Sequence, residues 1–354
     1  MKRQVLTGDE QALQPQVGSQ PLLETIHQRM HAVEAEVKKV VVGVDRAVRL
    51  TTLALFARGH VLLHGLPGQG KTLMATCFAR AIGGVSERFQ GSPDFLFSEA
   101  LVSAFPDERG ELKYYAGRLL RHGERLGIVL LDEINRFMPN TQAGFLEVMQ
   151  ERKVTTATRT FPIPHFLGIA TRNPLEAAET YPLPEALLDR FLMLIRMEYP
   201  DPQAELRIMT DPAYRRMEAA AALVQPVVHL EELNVYAEAI GASVRVSEAA
   251  ARYIHRLAMA TRKPSAFGVR LNGTGNADEH IIAGVSTRGM VHLRTAAQVA
   301  ALHAGREYVT PQDIHDVVFE VFEHRIFVKP VVLTQHPEFV RTLLREVLRR
   351  VCAP

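Results

Sequence analysis

Apolar residues recur at helical spacing from Leu23 to Val42, the chain turns through Gly43-Val44-Asp45, and residues 45–58 carry a second helical pattern. His60-Val61-Leu62-Leu63-His64 is a short apolar run directly before glycines, the pattern of a buried parallel strand. Ile128-Val129-Leu130-Leu131 and Phe166-Leu167-Gly168-Ile169-Ala170 repeat it, ending in Asp132-Glu133 and in Thr171-Arg172-Asn173. Helical patterns lie between, notably 71–82 and 141–151, the second opened by Asn140 or Thr141 as a cap. This alternation predicts an α/β fold, a parallel sheet with helices on both faces. Such folds bind ligands at the carboxyl ends of their strands, where the polar strand ends fall together.

Two polar or aromatic segments read as inserted β-hairpins: Gly110 to Leu119, beside the turn-rich Pro106-Asp107-Glu108-Arg109, and Lys153 to Pro164. From about Pro202 to Phe327 the pattern is almost wholly helical, broken by the loop Leu271-Asn272-Gly273-Thr274-Gly275-Asn276, which predicts a second, α-helical domain. The last segment opens at Pro337 and puts Val340, Leu343, Leu344, Val347, Leu348 and Val351 on one stripe, with Arg341, Arg345, Arg349 and Arg350 largely opposite. That stripe is expected to pack on the helical domain, with a partner or a membrane surface as the alternatives. Residues 1–22, rich in Gln, Pro, Gly and Ser and without period, are expected to be a mobile tail. The expected plan is therefore 1–22 tail, 23–201 α/β domain, 202–327 helical domain and 328–354 amphipathic extension, with no internal repeat.

Composition narrows the class. The 354 residues are 47 % hydrophobic and 23 % charged, which is ordinary globular composition, and at roughly 150 residues per domain the length suggests two domains. A net charge of +2 argues against a dedicated nucleic-acid binder. Cys77 and Cys352 are too few and too far apart for a disulfide framework, which fits a reducing, cytoplasmic setting. Gly8-Asp9-Glu10-Gln11 falls where a signal peptide needs its apolar run, and no apolar stretch approaches the roughly 18 residues of a membrane span.

Gly65-Leu66-Pro67-Gly68-Gln69-Gly70-Lys71-Thr72 fits the G-x-x-x-x-G-K-[ST] phosphate loop, set between a predicted strand and a predicted helix as the motif demands. Glycines let successive N–H groups turn toward phosphate oxygens, and the helix N-terminus adds partial positive charge. Lys71 supplies a cation for the β/γ-phosphates, and Thr72 can place its hydroxyl on Mg²⁺. Asp132 and Glu133 supply what such a loop lacks: one carboxylate for the Mg²⁺ shell and one to orient and deprotonate water. This pairing favours hydrolysis over phosphoryl transfer to a second substrate. His64 and His324 lie in no ligand spacing, and Cys77, among Met74, Phe78 and Ala81, reads as a small buried hydrophobe.

These residues also carry a family likeness. Asp132-Glu133-Ile134-Asn135-Arg136, Thr141-Gln142, Leu146 through Thr155, Ala170-Thr171-Arg172-Asn173-Pro174, Thr180 through Ala186, Leu188-Asp189-Arg190-Phe191, Gly284-Val285-Ser286-Thr287-Arg288 and Gly305 through Pro311 resemble the MoxR family of AAA+ ATPases. The likeness runs from about residue 30 to residue 326. It implies a phosphate-loop AAA+ core with a helical lid, ATP and Mg²⁺ as ligands, and a ring, a hexamer in the family's pattern. Asn173 matches the sensor 1 residue that helps place the attacking water, Arg190 the arginine finger donated to the neighbouring subunit, and Arg288 the sensor 2 residue of the lid. Val41, Val42 and Gly43 resemble the segment lining the adenine pocket. Arg136 and Arg152 read as surface or structural arginines. Gln69-Gly70, Arg172 and the length of the 264–282 loop depart from the family's usual pattern, but no catalytic group is lost.

The resemblance further implies a chaperone-like remodeller of a client protein complex, acting beside a von Willebrand factor A-domain partner. One alternative is a nucleic-acid motor, for which Tyr114 and Tyr115 offer stacking surfaces but few neighbouring cations. The other is a nucleotide-gated scaffold in which turnover only resets the assembly.

Overall fold

The computed structural model describes residues 20–354 apart from 107–108, 110–111, 156–158, 174–180, 182 and 272–275. Helix α1 (Gln20–Lys38) begins three residues earlier than the periodicity indicates, because Leu22 and Leu23 are already buried. The remainder of the expected N-terminal tail lies outside the described residues. After α2 (Asp45–Phe56) come strand β1 (Val61–His64) and helix α3 (Lys71–Ala81), with the phosphate loop between them. Strands β2 (Val85–Gln90), β3 (Leu126–Asp132), β4 (Leu167–Arg172) and β5 (Met193–Arg196) complete a five-stranded sheet ordered β2-β3-β4-β1-β5, with every pair parallel.

Two of these strands escape the sequence pattern. β2 lies at an edge and carries Glu87, Arg88 and Gln90, so it lacks the continuous apolar run of a central strand, whereas β5, four residues long like β1, has such a run in Phe191-Leu192-Met193-Leu194-Ile195 but no glycine loop after it to mark it. The central strands alternate between two cores. Val61, Leu63, Ile128, Leu130, Ile169 and Ile195 face one cluster that includes α1, α2 and α3. Leu62, Val129, Leu131, Ala170 and Leu194 face another, built on α4 (Pro139–Glu151) with Phe89, Phe137 and Phe145. This is the two-faced burial that a covered parallel sheet requires.

Both hairpins exist. The first pairs Val102–Pro106 with Leu112–Ala116, so its leading strand lies before the turn-rich segment rather than within 110–119 as the sequence suggested. The second pairs Lys153–Thr155 with Thr160–Pro162.

The helical region contains α5 (Glu232–Ser243), α6 (Glu248–Arg262), α7 (Thr287–His303), α8 (Pro311–Phe322) and α9 (Phe339–Arg350). Helix α9 buries Phe339, Leu343, Leu344 and Val347 and packs on α6 and α8, so its apolar stripe is used inside the chain. Ile281–Ala283 pairs antiparallel with Phe327–Val328, across the boundary anticipated at residue 327. One continuous apolar cluster joins these helices to the α1–α3 face of the sheet. Helix α1 touches α2 and α3 on the sheet side and α5 and α7 on the helical side.

Candidate nucleotide site

At the carboxyl end of β1 the chain enters the phosphate loop with Gly68 at φ +82° and Gly70 at φ +73°, backbone that a side chain resists. These turns bring the loop onto the N-terminus of α3, where Lys71 is the first helical residue. Lys71 Nζ donates to the carbonyls of Gly65 at 2.7 Å and Leu66 at 3.2 Å, so the loop holds its own cation in place. Gln69 folds back over Gly65, its buried Oε1 without a hydrogen bond, and a Cβ at Gly65 would lie 2.2 Å from that oxygen. The same Cβ would lie 2.7 Å from Met197 Cβ, which cannot swing away as the Gln69 side chain can, so close packing requires Gly65.

Asp132 ends β3 and Asn173 follows β4, its neighbour in the sheet, so both reach the loop from one edge. Pro67 through Leu73, Asp132, Glu133 and Asn173 line one cleft of about 280 Å³, together with Arg88 and Gln90 of β2. The donors suit the ligands expected there: amides at a helix N-terminus and an ammonium for phosphate, and the hard oxygens of Thr72 and Asp132 for Mg²⁺. Pro67, Gly68, Gln69, Gly70, Lys71, Thr72, Asp132, Glu133 and Asn173 are thus brought together.

Thr171 aligns the two acids. Its hydroxyl donates to Asp132 Oδ1 at 2.6 Å and accepts the Glu133 N–H at 2.8 Å. Glu133 sits at φ +55°, a left-handed conformation costly for a side chain with a Cβ, and the Thr171 bond helps to fix it. Its Oε2 accepts from Gln90 Nε2 at 2.9 Å and from Arg136 Nη1 at 3.0 Å. Arg88 donates through Nε at 3.0 Å and Nη2 at 2.7 Å to Oδ2 of Asp132. Sequence reasoning missed Arg88 and Gln90 as parts of this site, and gave Thr171 only as part of a polar strand end, without its role between the two acids. The β2 pair could have been found only by recognising an edge strand that sets Gln90 beside Asp132 in register.

Arg190 and Arg288 lie outside this cleft, and Arg288 turns to Asp189. Arg288 Nη1 is 3.7 Å from Asp189 Oδ2, Ser286 Oγ donates to both carboxylate oxygens at 3.1 Å, and Arg325 Nε donates to Oδ1 at 2.8 Å. Arg190, next along the chain, is half-buried, and its guanidinium makes no hydrogen bond or ion pair among the described residues. Gly43 lines a separate cavity of about 120 Å³ with Arg196, Glu198 and Tyr199, while Val42 is half-buried and lines neither space. Gly43 has φ +75°, and a Cβ there would meet Pro200 Cβ at 2.6 Å. The cavity adjoins the loop, since Arg196 is in register with His64, the residue before Gly65.

The remaining candidates have structural duties. Arg152 donates to the Phe166 carbonyl at 2.7 Å, and burial pulls its pKa down to about 10. Burial, with Arg172, Arg196 and Lys71 nearby, pushes His64 down to about 4, so it is neutral and accepts from Arg172 Nε at 3.3 Å. His324 is buried, pushed well below the usual histidine range chiefly by desolvation, and bonds the Phe191 carbonyl at 3.1 Å. Burial raises the Cys77 thiol to about 12, which leaves it inert. Tyr115 is exposed, and the side chain of Tyr114 lies outside the described residues. No helix among the described residues is long and apolar enough to cross a membrane.

Residues 60–193 match the model of the ATPase family associated with various cellular activities, and residues 275–347 match that of the AAA lid domain. Protein MoxR of Methylorubrum extorquens is 37 % identical over 91 % of this chain and 94 % of its own length. Chaperone MoxR1 of Mycobacterium tuberculosis is 35 % identical over 96 % of this chain and 86 % of its own. Among solved structures, a candidate ATPase from Cytophaga hutchinsonii superposes with a TM-score of 0.82 at 31 % identity, covering 94 % of this chain and 97 % of that one.

Proposed function

The chain belongs to the MoxR family of AAA+ ATPases, and from that premise we propose that it is a Mg²⁺-dependent ATP hydrolase that works as a ring, a hexamer in the family's pattern. The observation that carries this reading is the convergence of Lys71, Thr72, Asp132, Glu133 and Asn173 on one cleft. Loop amides and Lys71 hold the β- and γ-phosphates. Thr72 and Asp132 hold Mg²⁺, which when bound neutralises charge on the phosphate oxygens. Glu133 orients a water and takes its proton as the water oxygen attacks the γ-phosphorus and the bond to the bridging oxygen breaks, releasing ADP and phosphate. Asn173 fixes the water from the neighbouring strand end.

Arg190, unpaired among the described residues of its own chain, is the group presented to the nucleotide of a neighbouring subunit, where a guanidinium fork suits spreading phosphoryl charge. Arg288, tied to the same Asp189, links the lid to that segment. The cavity beside Gly43 is the place for the base. Turnover drives chaperone-type remodelling of a client protein complex beside a von Willebrand factor A-domain partner, in a cytoplasmic setting. The name of the Mycobacterium tuberculosis relative supports the chaperone part of this reading.

The test is ATP turnover of wild type and Arg190→Ala across protein concentration, with oligomer size followed in parallel. Turnover that rises with assembly and collapses in the variant is expected. Turnover independent of both overturns the ring and the finger.

A further inference from the structure

Far from the nucleotide cleft, three imidazoles and a carboxylate meet where α1 crosses the C-terminal end of α7. His27 Nδ1 bonds the Leu302 carbonyl at 2.9 Å, and His31 Nε2 bonds the His303 carbonyl at 3.0 Å. A carbonyl only accepts, so each of those nitrogens carries the ring proton, and the other nitrogen of each ring keeps its lone pair. His303 Nε2 lies 2.7 Å from Glu34 Oε1, so an ion held by both atoms takes the place of the proton between them. The rings are in contact: centroids are 4.6 Å apart for His27 and His31, and 4.4 Å for His31 and His303.

We propose that His31, Glu34 and His303 form a binding site for a borderline-soft divalent cation such as Zn²⁺, with His27 edge-on to His31 at its border. One ligand atom from each of these three residues lies within 4.8 Å of the others. Imidazole and carboxylate are the donors Zn²⁺ takes, and three protein ligands leave a fourth position for water. The outer contact of His31 follows the pattern of metal-binding histidines, in which the second ring nitrogen donates to a carbonyl that fixes tautomer and orientation. The carbonyl end of α7 adds negative potential. Lys38 Nζ lies 3.6 Å from Glu34 Oε2, on the carboxylate oxygen that His303 does not touch. His31 is exposed, giving an ion access, whereas Glu34 and His303 are buried.

The position gives the ion a consequence. Helix α1 packs on α2 and α3, and α7 carries Arg288 in its first turn and His303 in its last. A bound ion fastens the far end of the helix that bears Arg288 to the sheet side of the molecule.

The test is a Zn²⁺ titration of the metal-stripped full chain by calorimetry and thermal unfolding, in a Cys352→Ser background that removes the exposed thiol. Expected are about one equivalent bound with micromolar or tighter affinity and a rise of about 3 °C in the unfolding midpoint at saturation. His31→Ala and His303→Ala should each weaken binding at least about tenfold, while Lys71→Ala binds like wild type. Absence of binding, or binding unchanged in His31→Ala, overturns the site. Because His31 is exposed, its variant decides the matter even if His303→Ala does not fold.

Discussion

Arg325 donates its Nε to Oδ1 of Asp189 at 2.8 Å, joining the end of the helical region to the residue beside Arg190. The guanidinium is 1 % exposed and bonds the carbonyls of Asp189 at 3.1 Å and Leu192 at 3.3 Å, with further bonds to those of Phe191 and Val321. Burial lowers its pKa to about 10, and Asp189 opposes that shift, so it remains charged. The Leu188-Asp189-Arg190-Phe191 segment is thereby held from both the sheet and the lid.

Arg325→Ala is expected to be among the most destabilising single changes in the chain. It takes a donor from four carbonyls, of which only that of Phe191 keeps His324, and removes the buried partner of Asp189, a loss of about 3–5 kcal/mol by urea denaturation. A loss below about 1 kcal/mol would show that Ser286 and Arg288 suffice to hold Asp189.

Glu133→Gln should keep nucleotide binding and lower turnover by about 10²–10⁴, because the amide cannot take the proton of the attacking water. Lys71→Ala should lose nucleotide binding itself. Measuring both affinity and single-turnover rate separates the two. A client effect that survives Glu133→Gln would favour a nucleotide-gated scaffold over a motor.

Arg88 occupies the carboxylate oxygen Oδ2 of Asp132, which the Mg²⁺ shell also needs. Arg88→Ala removes that competitor, so the Mg²⁺ concentration for half-maximal nucleotide binding should fall by about three- to tenfold. A requirement that rises instead would mean that Arg88 mainly positions Asp132.

Stability should decline as the solution is acidified below neutrality. Burial, with Arg152 next, lowers His60 to about 3, while burial and then Arg325 lower His292 to about 4. Their unfolded values lie near 6.5, so between those limits the unfolded chain binds more protons and stability rises with pH. Stability is complete above about 6.5 and lost as the pH falls toward 4, at up to about 1.4 kcal/mol per pH unit for each histidine. Urea midpoints at about pH 7, 6, 5 and 4, one-unit steps across this window, check the slope. A flat profile would contradict the burial of these rings.

Much of the nucleotide site was legible along the chain because its pieces are local. A strand, a glycine turn and a helix start are adjacent in sequence from His60 to Thr72, and Asp132-Glu133 and Asn173 each close an apolar run. Continuous hydrophobicity marks a strand buried on both faces, and a parallel sheet places such strand ends side by side. The amphipathic stripe of α9 likewise predicted its own burial.

Tertiary structure alone decided the relationships between residues far apart in sequence. Arg88 and Gln90 reach the two acids only because the edge strand β2 lies in register with β3, which its mixed composition concealed. Arg325 finds Asp189, and His303 finds Glu34 and His31, through the packing of helices against the sheet and against α1. Periodicity tells which face of an element is buried, while the partner on that face is fixed by register and crossing geometry, and these exist only once the chain has folded.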